Sequence, residues 1–219
     1  MLSKGEYTRL PNIAPDPLVA AQAPRERLLE LSSQRLLDAL VHSHPNGPNC
    51  PSEQDMRTQM SFGVPGVIVS CSGDGCLKPF AWGDTLEPAP LIGRGFQHGV
   101  TDCYALVRDY FRLEQGVVIP EFPRSWEWWL NGQTLYLDGF ARAGFELISE
   151  REAQEGDCVM MQVGGRNVTT PNHAGVLVGH GLFLHHATGR EPWDPTRLSR
   201  REPLSRWRPY ITHWLRRTP

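Results

Sequence analysis

Apolar residues recur at two different periods along this chain, and where the period changes, the architecture changes with it. In the first third, Leu28, Leu29 and Leu36 fall at helical spacing, which predicts a helix over 25–35 with Pro24 suited to its start. The short run Ala39, Leu40, Val41 reads as a buried strand ending at His42. Ser52 is a good N-cap for a helix reaching about residue 60, and GVPGVIVSC supplies another strand. Residues 1–80, led in by a Pro-, Ala- and Asn-rich stretch, therefore read as a small α/β unit. Pro79, Gly83, Pro88, Pro90, Gly93 and Gly95 then interrupt any pattern, and a linker is expected over 81–97.

From residue 98 onward the helical period comes first and the strand period second. Tyr104, Val107, Tyr110 and Phe111 predict a helix over 101–113, with Thr101 or Asp102 as N-cap. The aromatic stretch IPEFPRSWEWWLNG follows, and then a second amphipathic helix over 133–143. GFELISE, DCVMMQV, HAGVLVGHG and LFLHHA read as successive strands, with Gly179–Gly181 as a tight turn and PYITHWLRR as a candidate for one more. Helices followed by antiparallel strands make residues 98–219 an α+β domain.

Charge and composition narrow the function classes. The net charge of −2 offers no surface for nucleic acid, although the last twenty residues are locally basic, with Arg200, Arg201, Arg206, Arg208, Arg216 and Arg217. No apolar run approaches the roughly 18 residues that span a bilayer, and the opening MLSKGEYTRL lacks the apolar region of an export signal, so a soluble chain is expected. Cys50, Cys71, Cys76, Cys103 and Cys158 are odd in number and irregular in spacing, which argues against a complete disulfide framework. Cys71 and Cys76 flank SGDG, as in a hairpin turn or half a metal clip, but the favoured reading is two unrelated cysteines.

The candidate chemistry centres on HGVTDCYALVRDYF. It places Cys103 in the first turn of a helix, where unpaired backbone N–H groups and the helix dipole favour an anion and lower the thiol pKa. A thiol nucleophile also needs an imidazole to accept its proton and a third polar group to fix that imidazole. His173 starts the strand HAGVLVG, and His185 lies on the returning strand, so a hairpin brings the two onto one face of a sheet. His186 points the other way by strand alternation. Singly, each histidine reads as a half-buried core residue; the three residues together read as a catalytic set.

GVTDCYALVRDYF, EGDCVMM and PNHAGVLVGHGLFLHHATG resemble, in order and spacing, the NlpC-type bacterial cell-wall endopeptidases. The resemblance covers about residues 95–215 and implies a papain-like α+β fold and a thiol hydrolase acting on the stem peptide of peptidoglycan, usually between D-glutamate and diaminopimelate. It further implies Cys103 as nucleophile, His173 as base and His185 as orienter, with the backbone N–H of Cys103 in the oxyanion hole. Family members usually carry Ser-Gly after the cysteine, where this chain has Tyr104-Ala105, and the tyrosine ordinarily found before the cysteine segment has no obvious match.

HSHPNGPNCPSEQD presents a second constellation. His42 and His44 alternate on a strand and so point the same way, and Asp55 on the following helix can close a three-ligand zinc site, with Ser52 placed to bond a metal-bound water. The spacing resembles the JAMM metalloprotease motif. That family also needs an upstream glutamate as general base, and Glu6 and Glu30 are not in its usual context. The resemblance therefore implies a truncated JAMM-like unit that holds zinc without hydrolysing, or a metal-free remnant.

A JAMM-like unit followed by an NlpC-like unit resembles the layout of tail tip assembly proteins of long-tailed bacteriophages. That layout implies a virion protein, made in the host cytoplasm, whose partners are peptidoglycan stem peptides and other tail tip or hub proteins. Trp126, Trp128 and Trp129 could line its substrate groove, dock onto a hub, or pack over the cysteine helix. Two readings stay open: an active endopeptidase, and a structural tail protein with a vestigial site.

Overall fold

Strand alternation and helix capping account for most of the architecture in the computed structural model, which describes residues 1–17 and 20–218. Contacts divide the chain into Met1–Glu87 and Pro88–Pro219.

The first unit opens with a short hairpin of β1 (Leu2–Ser3) and β2 (Glu6–Tyr7), followed by α1 (Arg25–Ser33), which buries Leu28 and Leu31 against Met1 and Leu37. Next come β3 (Leu40–Pro45), α2 (Glu53–Phe62), β4 (Gly66–Ser72), β5 (Gly75–Cys76) and β6 (Phe80–Trp82). β3 and β4 pair in parallel, so α2 is the crossover that a parallel pair requires. β5 and β6 add to β4 in the antiparallel sense. The expected α/β unit is present, with β3 running past His42 to Pro45. α2 starts at Ser52 as expected, through a capping box in which Asp55 N–H donates to Ser52 Oγ at 3.1 Å and Ser52 N–H donates to Asp55 Oδ2 at 2.8 Å. Cys71 and Cys76 are not unrelated: they face each other across β4 and β5 with Cα atoms 4.0 Å apart and form a disulfide. The SGDG turn sets that register.

The second unit contains β7 (Gly95–Gln97), α3 (Cys103–Gln115), α4 (Leu135–Gly139), β8 (Phe145–Ile148), β9 (Cys158–Met161), β10 (His173–Leu177), β11 (Leu182–His185), β12 (Trp193–Leu198), β13 (Arg200–Pro203) and β14 (Ile211–Arg217). Six strands form one antiparallel sheet in the order β13, β11, β10, β9, β14, β8, and β12 pairs with β7 apart from it. Both faces of β9 and β10 are covered. Met160, Ala174 and Val176 pack with Tyr104, Val107 and Phe111 of α3, while Val159, Met161, Leu177 and Phe183 pack beneath Leu204 and Trp207. The expected strands from 145 onward are present, and the terminal PYITHWLRR supplies β14, inserted between β8 and β9. The helix expected over 133–143 is shorter, and the expected linker over 81–97 is partly strand: β6 ends at Trp82 in the first unit and β7 begins at Gly95 in the second. Short strands between prolines carry too few residues to show a period.

α3 is fixed at its N-terminus by Asp102. Its Oδ1 accepts from Ala105 N–H at 2.9 Å and its Oδ2 from Gly99 N–H at 2.8 Å, while the Arg124 guanidinium grips both oxygens at 2.8 and 2.9 Å. At the other end Gly116 takes the left-handed conformation, φ 68°, that closes a helix cheaply. Asp102 and Arg124 are 3% and 4% exposed, so removing one strands the other's charge out of water. Asp102→Ala is expected to lower the unfolding free energy by about 3–5 kcal/mol in urea melts, with Arg27→Ala, which breaks an exposed pair with Glu30, costing at most about 1 kcal/mol.

Candidate functional site

Cys103 is the first residue of α3, and its sulfur lies 3.1 Å from the Tyr136 hydroxyl. The helix start was expected to lower the thiol pKa. Instead, burial and then the charge of the adjacent Asp102 push it up to about 11, against the opposing effects of the Tyr136 hydroxyl, the Ala174 backbone N–H and Arg124. The dipole loses because its favourable end is already occupied by a full negative charge at the N-cap. Arg124 limits the damage. Although burial works to raise the Asp102 carboxyl, Arg124, His98 and two backbone N–H groups hold it well below the ordinary range. Arg124 Nη1 also donates to Glu121 at 2.6 Å, and Glu121 accepts from Arg108 at 2.6 Å, so a chain of alternating charges underlies the thiol.

His173 and His185 meet as their spacing suggested. β10 and β11 pair with Gly175 opposite His185, which sets His185 diagonally across from His173 on one face; His173 Nε2 and His185 Nδ1 are 3.0 Å apart. Gly175 is required for this approach. A Cβ there would come within 2.8 Å of the Leu184 carbonyl oxygen and 3.1 Å of His185 Cβ. His186 takes the other face, with Nδ1 2.5 Å from the Thr101 carbonyl and Nε2 2.8 Å from the Arg197 carbonyl, and so ties the turn before Cys103 to β12. Burial lowers the His173 pKa well below its ordinary value, and lowers His185 to about 4.

Cys103 and His173 border one cavity of about 250 Å³, walled by Trp126, Trp128, Trp129 and Trp207. Among the described residues no hydrogen bond joins the thiol to an imidazole: the sulfur is held by Tyr136 and the ring by His185. Of the three clustered tryptophans, Trp128 is buried while Trp126 and Trp129 are half-exposed. Tyr136, Glu202 and Trp207 were not singled out from the sequence. Tyr136 arrives from a segment after the cysteine, where the resembling family places its tyrosine before it. Glu202 sits in a run of arginines that reads as solvated surface, yet its Oε2 lies 3.5 Å from His185 Nε2 and accepts from Trp207 Nε1 at 2.5 Å.

In the first unit the structure brings His42, His44 and Asp55 together. The two Nε2 atoms are 3.1 Å apart, with Asp55 Oδ1 3.1 Å from His42 and Oδ2 3.4 Å from His44. Tetrahedral zinc with bonds near 2.05 Å separates its ligand atoms by about 3.3 Å; the two Nε2 atoms lie close to that spacing, and Asp55 offers a carboxylate oxygen within 4.8 Å of both. His44 Nδ1 lies 3.0 Å from the Pro48 carbonyl, which assigns its proton to Nδ1 and leaves Nε2 bare for a metal. Although burial opposes it, the neighbouring histidines and the Ser52 hydroxyl hold the Asp55 carboxyl well below its ordinary range. Glu30 is exposed and paired with Arg27, and Glu6 is exposed on β2.

The NlpC/P60 family profile matches residues 77–199. The chain belongs to that family. Cys103, His173 and His185 lie inside the matched NlpC/P60 segment; Glu202 and the histidines of β3 lie outside it. Tail tip assembly protein K of Escherichia phage lambda is 39% identical over 194 residues, 88% of this chain and 84% of the lambda protein. The protein of the same name from Escherichia phage N15 is 34% identical over 185 residues, 82% of this chain and 66% of its own length. Among solved structures, NlpC1 from Trichomonas vaginalis is 20% identical over 57% of this chain and 40% of its own, with a TM-score of 0.36. The NlpC/P60 unit has the mixed helix and sheet content expected of it, and no helix among the described residues is long and apolar enough to cross a membrane.

A raised pKa leaves little thiolate at neutral pH. Alkylation of Cys103 by iodoacetamide, with Cys103→Ser as background, is expected to climb through pH 9 and 10 rather than level off below about pH 8, and Tyr136→Phe to move the profile to still higher pH. A plateau near neutrality would contradict the assignment.

Proposed function

We propose that this chain is a component of a bacteriophage tail tip, carried in the virion after synthesis in the host cytoplasm, whose NlpC/P60 unit cuts peptidoglycan stem peptides during wall penetration or tail assembly. One observation carries the reading: Cys103 at a helix start and His173, with His185 bonded behind it, border the same tryptophan-walled cavity. In this reading Cys103 Sγ attacks the scissile carbonyl and its proton passes to His173, held in place by His185. The Cys103 backbone N–H and the Tyr136 hydroxyl, already 3.1 Å from the sulfur, receive the oxyanion. The resting thiol is neutral, so ionisation comes with substrate in the cavity, when water is displaced and the proton moves in step with bond formation. Catalytic hydrogen bonds that are open in a resting enzyme commonly tighten at that stage. Tail tip and hub proteins are its other partners, as the names of the lambda and N15 relatives suggest.

The first unit, about 1–80, is read as JAMM-like, with zinc held by His42, His44 and Asp55. The 3.1 Å spacing of the two Nε2 atoms, the Asp55 carboxylate beside both and the bare Nε2 of His44 support this. Bound zinc would supply Lewis acidity and cross-link β3 to α2. Neither Glu6 nor Glu30 stands with the cluster as a general base, which favours a structural role for the metal.

A second reading, a structural tail protein with a vestigial peptidase site, draws on the raised thiol pKa and on the hydrogen bond to Tyr136 in place of one to imidazole. Mass spectrometry of purified peptidoglycan incubated with the chain separates the two. New stem-peptide fragments that disappear with Cys103→Ala and His173→Ala establish the peptidase; unchanged peptidoglycan from a correctly folded chain establishes the structural role. Metal analysis is expected to find about one zinc per chain, lost in His42→Ala and in Asp55→Asn.

A further inference from the structure

We infer that Glu202 is a positioning residue: acting through two imidazoles in series, it sets which nitrogen of His173 is free to take a proton. This rests on His173 being the proton acceptor of the proposed peptidase.

The inference follows from three contacts. Glu202 Oε2 lies 3.5 Å from His185 Nε2, and His185 Nδ1 lies 3.0 Å from His173 Nε2. A carboxylate accepts and never donates, so a bare Nε2 lone pair facing it is repelled, whereas an N–H facing it is attracted. His185 Nε2 is buried with no hydrogen-bond partner among the described residues, so at 3.5 Å the charge orients the ring's proton without a full hydrogen bond. With its proton on Nε2, His185 can only accept at Nδ1. His173 must then donate from Nε2, and its Nδ1 keeps the lone pair. Moving the proton of His185 to Nδ1 would reverse both rings and fill the nitrogen that has to be empty.

The surroundings hold this arrangement. Glu202 is anchored by Trp207 Nε1 on Oε2 and by Arg200 Nε on Oε1, each at 2.5 Å. Despite partial burial, these donors keep its pKa below the ordinary value, so it is ionised at neutral pH. His185 is stacked on Phe183 at 4.3 Å and met edge-on by Trp207 at 4.6 Å, which prevents the ring from turning over. Trp207 therefore serves twice, as a wall for His185 and as a donor to the group that orients it.

The tautomers can be read without any assay of activity. In long-range 1H–15N spectra of the full chain, both His173 and His185 are expected as Nε2–H tautomers. Glu202→Gln, which keeps shape and an acceptor oxygen but removes the charge, is expected to mix the tautomers of both rings. Glu202→Asp is expected to restore them. Where peptidoglycan is cleaved, Glu202→Gln should lower kcat by about 10²- to 10⁴-fold with KM little changed, the share a positioned base supplies. An Nδ1–H signal for His173 in the unsubstituted chain overturns the inference, even if the variants do not fold. Spectra left unchanged by Glu202→Gln overturn it as well. If the tautomers behave as stated and no peptidoglycan is cut, the relay stands and the peptidase reading falls.

Discussion

A carboxylate and a guanidinium, each almost wholly withdrawn from water, meet at the foot of α3, and the rest of the second unit is arranged to keep them together. Asp102 supplies the cap that starts the helix, and Arg124 supplies the countercharge that lets a buried cap stay ionised. Because Arg124 comes from the segment that carries Trp126, Trp128 and Trp129, the same pair fixes the aromatic wall relative to Cys103. An isolated buried ion costs several kcal/mol, so neither partner can leave while the other stays. The guanidinium also lies 5.2 Å from the Tyr104 ring, one residue past Cys103. Helix, wall and sulfur thus share one electrostatic anchor.

Burial first, and then the carboxylate of that anchor, keep the thiol protonated at rest. Cysteines at helix starts gain acidity where the first turn is the dominant nearby field, but here the nearest full charge is negative and Arg124 cancels only part of it. A neutral sulfur beside neutral, buried imidazoles leaves these groups uncharged until something enters the cavity. The first unit follows the opposite logic. There, three ligand atoms converge with a deprotonated carboxylate among them, a concentration of donors that suits a cation.

Much of this was legible in the sequence. The capping residues Ser52 and Asp102, the strand alternation that separates His185 from His186, and the histidine spacing on β3 are local, and local patterns read directly. What the sequence concealed depends on contacts between distant segments. The Cys71–Cys76 disulfide required the strand register across SGDG. β7 and β12 are too short and too rich in Gly, Pro and charge to show a period. The thiol pKa turned first on burial, which depends on segments packed over Cys103 from far along the chain, such as Tyr136. Glu202 was hidden for a related reason: in RREP the arginines suggest a solvated strand, and only the paired β11 and β13 reveal which face the glutamate takes.

The insertion of β14 between β8 and β9 has a consequence for synthesis. Leu215 of β14 belongs to the same buried cluster as Tyr104 and Phe111, and until β14 is in place β9 has an open edge on that side. His42, His44 and Asp55 of the first unit lie within a span of fourteen positions and can meet while the chain is still on the ribosome. The six-stranded sheet of the second unit cannot close until β14 has been made, because pairing of such long range must wait for its last participant.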